Sequence, residues 1–410
     1  MNTKAEKGNS YWIRVSQTFP PGDLKWVLGA WLTSRTLLFS TALMIGIKKN
    51  IPLLEVVRQW DVVHFLNIAE LGYPTVDPNL VAFFPGLPIS IWFLSKLGFS
   101  PSVAGLIIAN LSALLAALAL TKLAGRTAGV LWLFGPAMIF GFVPYTEAPF
   151  AAAFFWAWER ARAGKWASVS ALSAVAVTFR VTGVVAAIAL VVMGFVEGRN
   201  WAEKLKPIAW MMLPAAAAAA YQIYIWRLSG DILGWVHAQS RGWSRSFHWP
   251  WEAFKVTWDN ASPYVSPDYY RLFRLEALAV VVCIILVAYL PVRKWWPEAV
   301  FMLLNLAMFS FSDFYMSLAR SMVYWLPLWL LAAEALTGVS PASGMAPPSG
   351  NGVCWPNQAI YTPARKVAIA ATVVFSAGAM LLTWTSGGVF GVWVGCFCCV
   401  SGLLGGSAGY

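Results

Sequence analysis

Groups able to move a proton or hold a charge are concentrated in Trp60-Asp61-Val62-Val63-His64-Phe65, continued by Ile68-Ala69-Glu70-Leu71-Gly72-Tyr73. Asp61, His64 and Glu70 lie within about three helical turns of one another. On a helix Asp61 and His64 (i, i+3) share a face. A carboxylate at the edge of an apolar medium loses hydration and becomes a better base, so Asp61 is the candidate general base. A structural role is the alternative, because Asp is an ordinary N-cap of a short helix. Trp60 and His64 are read as neighbours that position the acid or a substrate. Glu70 is expected on a solvated face.

Other charged residues recur at the ends of apolar runs. Glu147 follows Pro144-Tyr145-Thr146. It is either a helix N-terminal acid favoured by the dipole or a second site acid that holds a basic partner. Arg180 interrupts Val177-Thr178-Phe179-Arg180-Val181-Thr182-Gly183, and Arg320 precedes Met322-Val323-Tyr324-Trp325. A guanidinium at such a junction can bind phosphate bidentately, snorkel, or pair with Glu147. Between Gly230 and Asp259 lie His237, Gln239, Arg241, Trp243, Arg245, His248, Trp249 and Trp251. Arginines among aromatics suit sugar stacking and phosphate binding, and equally interfacial anchoring.

The elements that position these residues follow from composition. The chain is 59% hydrophobic and 11% charged, with a mean hydropathy of +0.64, where a soluble domain carries roughly 25% charged residues. The expected class is an all-α polytopic membrane protein with about ten or eleven spans of roughly 20 apolar residues each. The net charge of +11 resides at span ends, as the positive-inside rule requires, and nucleic acid is not an expected partner. Cys396, Cys398 and Cys399 have no nearby His and form no zinc pattern, so no metal site is expected. Met1 to Lys25 is polar and mixed, and the first span is expected to stay uncleaved.

Charge sets the direction of the spans. Basic residues before 24–47 place the N-terminus in the cytoplasm and Asp61 outside. If 82–98 crossed, Lys122, Arg126, Arg160, Arg162 and Lys165 would all be outside. This segment holds Pro85 and Pro88, and it is read as an outer interfacial or re-entrant segment. Residues 103–121, 127–143, 148–158, 166–179, 181–196 and 207–226 then alternate across the bilayer. A polar loop follows over 227–274, and 275–291, 297–311 and 321–336 cross again. This path gathers Asp61, Glu147, Arg180, the loop and Arg320 on the outer side. The division reads as a catalytic membrane domain over 1–336, a Gly/Pro-rich cytoplasmic linker over 337–366, and a last span and tail over 367–410.

The chain has no Walker A pattern, Gly-rich dinucleotide fingerprint, zinc-protease helix motif or Asp-x-Asp motif. A nucleotide-sugar donor is therefore not expected. Trp60-Asp61-x-x-His64-Phe65-x-x-Ile68-Ala69-x-x-Gly72-Tyr73 with Ala82-Phe83-Phe84-Pro85-x-x-Pro88 resembles the PIG-V family of mannosyltransferases. Tyr145-Thr146-Glu147-Ala148, Arg180-x-Thr182-Gly183, His237-Ala238-Gln239 with Trp243 and Arg245, and Ser317-x-x-Arg320 extend the resemblance over roughly residues 24–336. Residues 338–410 fall outside it, and Ser321-Met322 departs from its pattern.

The resemblance implies a GT-C-like glycosyltransferase fold with its site at the non-cytoplasmic face. It implies a polyprenyl- or dolichyl-phosphate mannose donor, a glycolipid or other glycan acceptor, and no cofactor. It further implies an inverting attack with Asp61 as base, and phosphate stabilisation by Arg180, Arg241, Arg245 or Arg320. Trp60, His64, Glu147, His237 and Gln239 would bind substrate. A transporter or flippase of a lipid-linked or polar solute is the alternative class, as is a GT-C enzyme using another lipid-phosphate sugar. A transporter would place its charges near the bilayer midplane on broken helices. The short loops favour a bacterial plasma membrane over the endoplasmic reticulum.

Overall fold

The computed structural model describes residues 21–58, 60–73, 78–243 and 245–339. The chain opens with α1 (Pro21–Lys49), α2 (Leu53–Val57) and α3 (Val62–Leu71), followed by α4 (Gly86–Lys96) and α5 (Pro101–Ala124). Then come α6 (Arg126–Leu133), α7 (Glu147–Arg162), α8 (Trp166–Phe179), α9 (Thr182–Glu197), α10 (Trp201–Trp210) and α11 (Met212–Ser229). The set ends with α12 (Gly234–Trp243), α13 (Pro250–Asn260), α14 (Tyr270–Val292), α15 (Trp296–Ser310), α16 (Leu318–Ser321) and α17 (Leu326–Thr337). Among the described residues there is no strand.

Four helical stretches are long and apolar enough to cross a bilayer, and they make the chain an all-α membrane protein. They are Gly22–Lys49, Pro101–Ala124, Trp201–Ser229 (α10 running on into α11) and Tyr270–Val292. The apolar helices α8, α9, α15 and α17 are shorter. The ten or eleven spans expected from hydropathy therefore resolve into four full-length stretches and several short helices. The span expected from Val367 lies outside the described residues, as does the linker beyond residue 339.

Two expected segments differ in kind. The stretch 227–274, expected as a loop, holds α12 and α13, because its aromatic residues recur at helical spacing. The outward span expected over 127–143 stops at Leu133 and continues as irregular backbone with one 3₁₀ turn, Met138–Gly141. Broken backbone at membrane depth survives only where protein satisfies its polar groups. Here the middle of α1 does so. Ser34 Oγ donates to the Leu133 carbonyl at 2.7 Å, and Arg35 Nη1 donates to the Gly141 carbonyl at 2.9 Å and to Asn110 Oδ1 at 3.2 Å. Asn110, on α5, donates in turn to the Phe142 carbonyl at 3.1 Å.

α4 spans 11 residues, about 16 Å, against a hydrocarbon core of about 30 Å, so by itself it is too short to cross. It lies between α3, α5 and α8. A Cβ on Gly86 would stand 2.8 Å from the Thr178 carbonyl oxygen, so only glycine lets α4 begin against the end of α8. α5 and α7 pack together, each burying a set of alanines: Ala109, Ala113, Ala116 and Ala117 on one, Ala148, Ala151 and Ala152 on the other. Small residues of this kind let helix backbones approach closely. The ion pairs Lys122–Glu159, Arg162–Glu298, Arg126–Asp23 and Arg293–Glu334 collect at one end of the bundle. The candidate site residues collect at the other.

Candidate functional site

α7 and α9 both begin at the site end of the bundle, where α8 ends. At 16 residues each they are about 24 Å long, and the bundle is recessed beside their N-termini. A cavity of about 360 Å³ fills the recess, within the ~300–1,000 Å³ usual for small-molecule sites. Its polar lining includes Asp61, Thr146, Arg180, Gln239, Arg245 and Arg320. Thr146, the N-cap of α7, and Thr182, the first residue of α9, face this space, and a helix N-terminus favours negative charge.

Asp61 sits at the N-cap position of α3 but makes no side-chain capping bond. Its carboxylate is thus free for other work, and Arg320 Nη1 lies 3.4 Å from Oδ2. The Asp61 backbone N–H donates to the Tyr145 hydroxyl at 2.9 Å. Burial, and after it the Asp61 charge, pushes the Tyr145 phenol well above its ordinary range, so it stays neutral. Trp60 precedes the acid at φ +54°, in the left-handed region that bulky residues rarely adopt. Its ring packs on Phe140 and Tyr145, at 5.6 and 6.4 Å between centroids.

Glu147 is fully buried and acts as a hinge between two arginines. Arg180 Nη1 donates to Glu147 Oε1 at 2.7 Å and to Thr146 Oγ1 at 2.8 Å. Arg320 Nε stands 3.0 Å from the same Oε1 without hydrogen-bond alignment. Glu147 Oε2 has no hydrogen-bond partner. Burial works against the Arg320 charge, but Glu147, Tyr145 and Asp61 more than offset it and hold the guanidinium protonated. Gly183 shapes this corner, since a Cβ there would stand 2.6 Å from Val177 Cα in the turn that carries Arg180.

Arg245 differs from the other two arginines. It lines the cavity, lies over the Phe309 ring at 5.7 Å and makes no ion pair among the described residues. Burial first, then the charges of Arg320 and Arg180, push its guanidinium down to about 10. It still carries its proton at neutral pH. Arg180 and Arg320 are thus paired with carboxylates of the site, whereas Arg245 is in no ion pair among the described residues.

α12 divides the residues expected from it. Trp235, Gln239 and Trp243 (i, i+4, i+8) line the cavity, and Trp235 Nε1 donates to the Ala82 carbonyl at 3.2 Å. His237 and Arg241 lie two residues off this row and point away from it. His237 Nδ1 pairs with Asp231 Oδ2 at 2.6 Å, and Arg241 Nε donates to Asn79 Oδ1 at 3.3 Å. Helical periodicity thus keeps both out of the lining of this cavity. His64 is also packed rather than lining. Its ring stacks on Phe83 at 5.2 Å and meets Trp243 edge-on at 6.1 Å.

Glu276 was not among the residues expected at the site. Its buried carboxylate accepts from the backbone N–H groups of Ser317, Leu318 and Ala319 at 2.8–3.0 Å. This fixes the start of the four-residue α16 and aims Arg320 at Asp61 and Glu147. An acid within the apolar run of α14 was the available signal, since such a charge is costly without a partner. Arg35 gave the same signal in α1. Among the described residues no group of three His, Cys, Asp or Glu side chains gathers around a point.

Comparison of the chain with protein families, with curated proteins and with solved structures gives no match.

Proposed function

We propose that this chain is a membrane glycosyltransferase of the GT-C type that uses a lipid-phosphate-linked sugar. The reading that best fits the sequence resemblance is transfer of mannose from polyprenyl- or dolichyl-phosphate mannose to a glycan or glycolipid acceptor at the non-cytoplasmic face. One observation carries it. A carboxylate not used for capping, Asp61, and a half-buried arginine that makes no ion pair among the described residues, Arg245, line the same recessed cavity. A base and an unengaged cation are the two groups that attack on a sugar phosphate needs.

In this mechanism Asp61 accepts the proton of the acceptor hydroxyl. The oxygen attacks the anomeric carbon and forms the new glycosidic bond with inversion. The bond from that carbon to the phosphate oxygen breaks, and its electron pair leaves with the lipid phosphate. Arg245 neutralises the departing charge, with Arg180 and Arg320 contributing field from their places around Glu147. Arg320 also orients the Asp61 carboxylate. Trp243, Trp235 and Phe83 offer flat surfaces for a sugar ring.

The test is transfer in vitro from polyprenyl-phosphate mannose to a panel of acceptors. Asp61→Asn keeps the shape of the side chain and removes the base, so turnover is expected to fall about 10²–10⁴-fold with donor binding retained. Normal turnover by a folded Asp61→Asn protein overturns the assignment.

A further inference from the structure

α13 has three distinct faces. Ala253 and Thr257, one turn apart, are its buried residues. Trp251, Phe254 and Trp258 (i, i+3, i+7) form a second face, with 64% of Trp251 and 63% of Trp258 exposed. Glu252, Lys255 and Asp259 form the third, also exposed. The helix is 11 residues long, about 16 Å, too short to cross a bilayer. Its attachment to the protein is therefore a narrow stripe of small side chains, flanked on one side by large aromatics and on the other by charges.

The aromatic face borders a second cavity, of about 680 Å³, between α13 and α14. Phe254, Trp258, Tyr264, Arg274, Leu278 and Val281 are among its lining residues. This surface continues along α14 onto Val281, Ile284 and Ile285, each about half exposed on one of the four apolar spans.

We propose that α13 is an interfacial helix whose aromatic face is immersed in the bilayer surface, with a phospholipid chain in the groove beside it. The surface is continuous with the exposed apolar face of a membrane-crossing helix, which favours lipid over a protein partner. Around the helix the charged face adjoins the aromatic face on the side away from the buried stripe, so that it meets water while the aromatics meet lipid. Trp is the residue type that settles at the headgroup level. Arg274, in the groove wall, supplies a counter-charge for a headgroup phosphate.

The anchorage reaches the candidate site. Tyr315 N–H donates to Thr257 Oγ1 at 2.8 Å, and the Tyr315 hydroxyl donates to the Pro250 carbonyl at 3.1 Å. Segment 312–317, which contributes Ser312, Met316 and Ser317 to the first cavity, is thereby held to α13. The wall of the site is fixed at the depth of lipid headgroups, where a lipid-linked substrate presents its phosphate. The inference rests on the membrane character of the chain and not on the transfer reaction, so either can fail alone.

Photocrosslinking tests it. Benzoylphenylalanine replaces Phe254, Trp258 or Lys255 singly in the full chain, reconstituted in phospholipid nanodiscs. After irradiation, mass spectrometry is expected to find phospholipid adducts at positions 254 and 258 and a loss of that adduct at 255. Capture of a second copy of the chain at 258 instead of lipid overturns the proposal, and so does an adduct yield at 258 no greater than at 255.

Discussion

At the scale of single residues, the arrangement of charge separates arginines that look alike in sequence. Arg180 and Arg320 share the carboxylate of Glu147, whereas Arg245 shares none. The folded protein holds Arg245 below its ordinary value, so its proton is disfavoured in the fold at neutral pH. That penalty is fully present below about 10 and is relieved as pH rises from there toward the guanidinium's ordinary value. An anion in the cavity relieves the same penalty. Inorganic phosphate or pyrophosphate well above its Kd is therefore expected to stabilise the protein at pH 7 by roughly 2–3 kcal/mol. Arg245→Met should lose this response while the unliganded protein melts no lower than wild type. Phosphate affinity of the wild type should decline as pH passes about 10. Thermal unfolding with and without the anion reads all three.

Trp60 belongs to this scale as well. Its left-handed backbone corresponds to about 1–3 kcal/mol of local strain that the surrounding rings hold in place. Asp61 was legible as a candidate base because a carboxylate in an apolar chain is costly and calls for a reason. Its release from capping was not legible, since an Asp before a helix predicts a cap by its type alone.

At the scale of elements, the site depends on short pieces held by polar groups from long helices. α16 has four residues and cannot sustain itself, and Glu276 from α14 takes the N–H groups of its N-cap Ser317 and of its first two residues. Glu276→Ala leaves those donors buried without an acceptor and is expected to destabilise the protein by about 3–5 kcal/mol. Glu276→Gln should restore most of the stability, because one amide oxygen still accepts. Transfer should stay impaired in the Gln variant, because Arg320 is aimed less firmly. Calorimetry beside a transfer assay separates the two effects. Arg35→Met likewise removes the donor to the Gly141 carbonyl, at an expected cost of about 1–3 kcal/mol, and loosens the backbone leading to Tyr145 and Glu147. A lowered Tm together with lowered turnover is the outcome to look for.

The helices themselves were visible as apolar runs, and their breaks were not. Residues 127–143 read as a span because hydropathy records burial, and this segment is buried by protein whether or not it is helical. Hydropathy could not register that Ser34, Arg35 and Asn110 supply the partners that let the backbone leave the helix after Leu133. In the same way α12 was hidden inside an expected loop. Once its helical period is known, Gln239 and Trp243 separate from His237 and Arg241.

At the scale of the whole molecule, charge is sorted to two ends. Lys122, Glu159, Arg162, Glu298, Arg293 and Glu334 pair at one end, while Asp61, Arg180, Arg245 and Arg320 surround the cavity at the other. In the proposed reading the first end faces the cytoplasm, following the positive-inside rule. A cysteine at Ser100→Cys is thus expected to react with an impermeant maleimide from outside the cell. A cysteine at Lys165→Cys should react only after the membrane is opened. Labelling of both from the same side would reject the arrangement.

The sequence by itself determined the class of the molecule, an all-α membrane protein. Apolar content and the positions of Lys and Arg are enough for that, because transfer from water to lipid acts on each residue nearly independently. The tertiary structure alone decided which charges meet. It put Glu147 between two arginines, left Arg245 out of every ion pair among the described residues, turned His237 and Arg241 away, and held Arg320 in place through Glu276. Such contacts join residues up to 259 positions apart, as in the pairing of Arg320 with Asp61. They arise from the register in which whole helices pack, and a local pattern of residue types does not encode that register.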